Sequence, residues 1–156
     1  MKTTLAILFL LAGSTGWRNA HAQEARIGTF DRTAIVIAFY GSPQWAATLK
    51  QKRAEMDEAR RANDTAKINA LNAWGGQSQE LAHQQLLGTA GIGNILDVLQ
   101  PAFEEIEQSE SLSNIVPISS KELKPGDVDV TDRLLDWLKA SDATRKTIQD
   151  FEQQQE

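Results

Sequence analysis

Residues 44–77 read QWAATLKQKRAEMDEARRANDTAKINALNAWGGQ. Up to Trp74 the stretch holds neither proline nor glycine and is rich in alanine, lysine, arginine and glutamate. These residues lose least on entering a helix. Uninterrupted, residues 44–74 make a helical arm roughly 45 Å long at 1.5 Å rise per residue. Gly75 and Gly76 then break the pattern, since each costs about 1 kcal/mol in a helix interior and tolerates positive φ. The reading predicts a turn at residues 74–77. A second arm then runs back through Leu81, Leu86 and Leu87 to Ile92, Ile95, Leu99, Ala102 and Ile106. A hairpin over residues 44–108 brings both its ends to one place, so the flanking segments meet there.

A 4-3 spacing runs through Trp45, Leu49, Lys52, Met56, Ala59, Asn63, Ala66, Ala70 and Ala73. This seam is thin: alanines let helices approach closely but bury little area. Ile68, Leu71 and Trp74, with Leu81 on the returning arm, have two readings. They pack the turn, or they offer apolar contacts to a partner. Gly88-Thr89-Ala90-Gly91-Ile92-Gly93 interrupts the second arm. Its glycines do not follow the dinucleotide-binding order and no strand precedes them, so a hinge or helix break is expected. Asn94 then caps a restarted helix, with Asp97 three residues on. Ile95, Leu99, Ala102 and Ile106 form the strongest apolar stripe, which Pro101 kinks or restarts. Trp45 and Leu49 are expected to meet Leu99, Phe103 and Ile106 at the base of the hairpin.

Before the hairpin, residues 25–31 suit a short strand. The apolar run Ala34, Ile35, Val36, Ile37, Ala38, Phe39 fits a strand by its β-branched content and a helical turn by its position. Ser42 is a plausible N-cap, with Pro43 at the first helical position. After the hairpin, residues 112–119 read as a second strand that Pro117 restricts to an edge or a bulge. Lys124-Pro125-Gly126-Asp127 makes a turn. A short helix follows with Leu134, Leu135, Trp137 and Leu138, capped by Thr131 or Asp129. Residues 140–156 are polar except Ile148 and Phe151, which predicts a loosely held amphipathic helix or no fixed structure. Residues 23–43 and 109–139 thus form a small body. Bodies under about 70 to 80 residues seldom close a core without staples, and two strands alone are marginal. Oligomerisation through Ile27, Phe30, Ile115, Val116 and Ile118 is the predicted remedy. The fold class expected is α+β: a small β-strand oligomerisation body with a long antiparallel helical hairpin inserted between its strands.

Residues 1–22 read as a cleavable export signal. Lys2 supplies the positive start, an apolar run follows from Leu5, and Ala20-His21-Ala22 gives a small-x-small cleavage site before Gln23. The apolar run is too short to span a bilayer, and no other segment approaches that length. No cysteine is present, which excludes a disulfide scaffold, a cysteine-ligated zinc and a lipid-modified cysteine. The net charge is −5, and losing Lys2 and Arg18 makes the remainder more acidic. That argues against nucleic acid and against anionic membrane surfaces as partners. His83 is the one histidine after the signal. Glu104 and Glu105 are adjacent, so on a helix they diverge by about 100° and form no carboxylate pair. No nucleophile-elbow serine or metal-ligand spacing occurs. No catalytic, cofactor or metal residue is predicted, and an enzyme is not expected.

Taken in order, the Ile27-Gly28-x-x-Asp31 start, the helical hairpin, the strand over residues 114–119 and the Asp129-Val130-Thr131-Asp132-x-Leu134-Leu135 ending resemble the Skp/OmpH family of periplasmic chaperones. The likeness spans residues 25–138. It implies a homotrimer with a small β body whose helical tentacles hold unfolded outer-membrane proteins in the periplasm. The sequence departs from the family in its shorter arms, its glycine break and its acidity where the best-known members are basic. The function expected is an ATP-independent holdase for unfolded exported proteins. The alternative is an oligomeric structural or adaptor protein of the cell envelope that uses the hairpin as a docking arm. Ile68, Leu71, Trp74 and Leu81 are the expected client contacts.

Overall fold

Arg26–Asp31 forms the first strand, β1, and its alternation sets what each face of the sheet carries. Gly28 and Phe30 point to one face, Ile27 and Thr29 to the other. A computed structural model describes residues 26–118 and 124–154. Two further strands, β2 (Leu112–Ile118) and β3 (Val128–Asp129), flank β1 in the order β2-β1-β3, and both run parallel to it. Parallel neighbours require a long crossover. Between β1 and β2 it consists of α1 (Arg32–Tyr40), α2 (Pro43–Arg61), α3 (Thr65–Leu86) and α4 (Gly93–Glu110). After β3 come α5 (Thr131–Trp137) and α6 (Asp142–Gln153). The chain is a mixed α and β protein, mostly helical.

The ambiguous apolar run after β1 is helix α1. Asp31 decides it: its Oδ1 accepts from the Ala34 backbone N–H at 2.7 Å, so the strand passes into the helix without a loop. Burial of Ala34, Ile35, Val36, Ala38 and Phe39 overrides the β-branched preference for a strand. Ser42 caps α2 with Pro43 at its first position, as the sequence indicates.

The long antiparallel hairpin expected over residues 44–108 does not form. The chain reverses at residues 62–64 rather than at 74–77. Asn63 takes positive φ, its N–H bonds to the Arg60 carbonyl, and the Asp64 N–H bonds to the Ala59 carbonyl. That is a Schellman ending, and asparagine is among the few side chains that tolerate it. Asp64 then caps α3 through the Lys67 N–H. Gly75 and Gly76 lie inside α3, where the surrounding helix carries their modest cost. Ala66, Ala70 and Ala73, expected on the first arm, sit on α3 instead. A second Schellman ending at Gly88, with φ of 78°, closes α3, so the glycine segment is a reversal between helices.

Helix α4 belongs to the body. Its stripe Ile95, Leu99, Ala102, Phe103 and Ile106 is buried as the pattern predicts, and Phe103 stacks on Phe30 of the sheet at 5.9 Å. Pro101 lies within the helix on its exposed side and neither ends nor restarts it. Ile92 occupies the N-cap position without a side-chain bond, and Asn94 is used elsewhere. Trp45 packs against Phe39, Tyr40 and Trp74 at the margin of the core that holds the Leu99 stripe. Residues 142–153 form α6, capped by Ser141. Ile148 is buried in the core, and Arg145 ties α6 to α5 through Asp132 and Asp136.

Candidate functional site

Two helices that share few large side chains leave a gap between them. Helices α2 and α3 meet at their base through Trp45 and Trp74, with ring centroids 6.1 Å apart, and near the turn through the buried Ala59. Between these points lies a groove of about 260 Å³. Leu49, Met56, Leu71 and Trp74 supply its apolar floor, and Lys52, Arg53, Asp57 and Arg60 supply its rim. Lys52 Nζ stands 5.6 Å from the centre of the Trp74 ring, within cation–π range. The same ammonium bonds Glu55 at 3.0 Å, which holds that carboxyl below the ordinary carboxylate range.

Of the expected client contacts, Leu71 and Trp74 line this groove. Leu71 is buried where α2 and α3 pack, so part of its role is structural. Ile68 is half-buried on α3. Leu81 is 37% exposed and does not line the groove. The residues expected to drive oligomerisation divide between two faces. Phe30 and Ile115 are buried within the chain's own core. Ile27 (41% exposed), Val116 and Ile118 lie on the opposite face, bordering a cavity of about 500 Å³ with Thr29, Lys124 and Asp127. Thr29 is 2% exposed, and among the described residues its buried Oγ1 has no hydrogen-bond partner. Gly28 sets the close packing on the core side, since a Cβ there would meet Leu112 Cδ1 at 2.8 Å and Ile115 Cγ1 at 2.9 Å. Ala20, Ala22 and Gln23 lie outside the described residues.

A polar cluster joins the helical pair to the body. Gln85 is fully buried on α3. Its Oε1 accepts from the Tyr40 hydroxyl at 2.8 Å, and its Nε2 donates to the Gly91 carbonyl at 2.8 Å and to Asn94 Oδ1. Arg32 donates to the carbonyls of Gln85 and, at 2.7 Å, Ala90. Burial raises the Tyr40 phenol above its ordinary pKa, and the Asn94 side chain draws it partly back. Four residues thus fix the α3–α4 reversal against α1. Sequence reasoning named only Asn94 of them, as a helix cap, because glutamine and arginine are usually surface residues and carry no periodic signal.

A further cavity, about 280 Å³, opens at the carboxyl ends of the strands beside Asp31, Asp129, Asp132, Arg145 and Gln149. Its carboxylates are engaged: Asp31 caps α1, Asp129 accepts from the Thr131 N–H at 2.8 Å, and Asp132 pairs with Arg145 at 3.1 Å. Among the described residues no cluster of three or more histidine, aspartate or glutamate side chains is placed to hold a metal, and no helix is long and apolar enough to cross a membrane. No protein family, no curated protein and no solved structure matches this chain.

Proposed function

We propose that the chain is an exported, ATP-independent holdase of the periplasm that binds apolar segments of unfolded exported proteins along α2 and α3. The observation that carries this reading is the groove between those helices. Leu49, Met56, Leu71 and Trp74 line it, and it stays open to solvent. Met56 suits a site that must adapt to many sequences, because its unbranched side chain repacks at low cost. Assembly into an oligomer, with a trimer as the expected form, uses the sheet face of Ile27, Val116 and Ile118. The exposed Ile27 and the Thr29 hydroxyl, which has no partner among the described residues, support that surface, since a buried hydroxyl without a partner is costly.

The test is suppression of aggregation. At stoichiometric amounts the protein should keep several unrelated unfolded proteins in solution, and light scattering should give a multiple of the monomer mass. Binding of one folded partner without suppression would favour the adaptor reading. Cleavage after Ala22 is checked by mass spectrometry of the protein from its native envelope, which should show Gln23 at the N-terminus.

A further inference from the structure

The positive charges of this acidic chain are unevenly placed. Helix α2 carries Lys50, Lys52, Arg53, Arg60 and Arg61 against Glu55, Asp57 and Glu58. Helix α4 carries Asp97, Glu104, Glu105, Glu107 and Glu110 with no lysine or arginine. Three of the α2 cations stand on the rim of the groove. Lys52 is held by Glu55 and Trp74, and Arg60 reaches Asp57 only at 4.0 Å. No ion pair or hydrogen bond is formed by the Arg53 side chain among the described residues. A groove with an apolar floor and an unbalanced cationic rim selects by sign as well as by hydrophobicity.

We infer that the α2–α3 groove recognises peptide segments in which a short apolar run is flanked by carboxylates. The apolar residues enter between Leu49, Met56, Leu71 and Trp74, and the carboxylates meet Arg53 and Arg60. This deepens the holdase reading and rests on it: the body repels acidic clients at a distance while α2 attracts them locally. Gly75 also lines the groove, and a Cβ built there would meet nothing within 4 Å. The space that a side chain would fill is therefore available to a ligand.

Binding is measured by fluorescence anisotropy with a short dye-labelled peptide in which glutamates flank a leucine run, and with its lysine-flanked counterpart. The purified protein should bind the acidic peptide more tightly, with an affinity that falls as salt rises. Arg53→Glu with Arg60→Glu should weaken it by about tenfold, the scale of 1.4 kcal/mol. Gly75→Leu, which fills the groove without a clash at Cβ, should weaken it as well. Lys146→Glu on α6 should leave it unchanged. Equal affinity for both peptides, or unaltered binding in both groove variants, overturns the inference. Aggregation suppression by the same proteins separates the two ideas. If the unaltered protein suppresses and Gly75→Leu does so equally, the groove is wrong and the holdase reading stands. If the unaltered protein fails to suppress, the holdase reading falls, and peptide binding still decides what the groove recognises.

Discussion

The Tyr40 hydroxyl donates to Gln85 Oε1 at 2.8 Å, a bond that joins the end of α1 to the last turns of α3. Tyr40 is the only tyrosine in the chain, so tyrosinate absorbance reports this contact alone. Burial raises its pKa, with Asn94 opposing in part. The folded state thus favours the neutral phenol. The associated stability is complete below the ordinary value of about 10 and is lost as pH rises through the higher folded value. Spectrophotometric titration should give a midpoint above that of free tyrosine, and denaturation should shift it back. A midpoint at the free value would mean the hydroxyl is solvated.

Gln85→Leu removes the centre of the cluster while keeping much of the volume. It leaves the half-buried Tyr40 hydroxyl short of a partner, while the exposed Gly91 and Asn94 turn to water. A buried group left unsatisfied costs about 1 to 3 kcal/mol, and a loss of that size is expected. Urea unfolding checks this. The exposed neighbour Leu87 (61%) changed to alanine should move stability by less than about 0.5 kcal/mol.

The glycines give opposite signs at different positions. Gly75 and Gly76 are helical with open space around a would-be Cβ, so alanine at either should stabilise by about 0.5 to 1 kcal/mol. Alanine at Gly28 collides with Leu112 and Ile115 and should destabilise by about 1 to 3 kcal/mol. Thermal melts of the three variants suffice. Destabilisation by alanine at both Gly75 and Gly76 would restore the turn to residues 74–77.

This contrast marks how far the sequence could be read. The Ser42-Pro43 start, the Ile95–Ile106 stripe and the edge position of β2 followed from local chemistry that tertiary packing did not overrule. The turn did not. Two glycines gave the louder signal, while Asn63-Asp64 carried a C-terminal left-handed residue and an N-cap in two adjacent positions. The third strand was hidden for another reason: β3 is two residues long, and no periodicity exists at that length. Of the groove, Leu71 and Trp74 were legible as apolar side chains. Their meeting with Lys52, Arg53 and Arg60 depends on where the chain reverses.

Leucines in the body and on the arm should behave differently. Leu99 is completely buried, and Leu99→Ala should cost about 2 to 5 kcal/mol and lower the melting temperature clearly. Leu81 is more than a third exposed, and Leu81→Ala should cost well under about 1 kcal/mol. Leu71→Ala falls between them, because it is buried where two thin helices meet. Equal effects at Leu99 and Leu81 would contradict the placement of the core in the body.

The central claim, that α2 and α3 hold unfolded clients in their shared groove, is tested most directly by hydrogen exchange with and without a bound unfolded protein. Without client, amides of α4 should exchange slowly and those of α3 between Thr65 and Gly76 quickly, since few apolar contacts cover them. With client, new protection should appear around Leu49, Met56, Leu71 and Trp74 and leave α6 unchanged. Protection confined to the sheet face at Ile27, Val116 and Ile118, or no change along α2 and α3, would contradict the account.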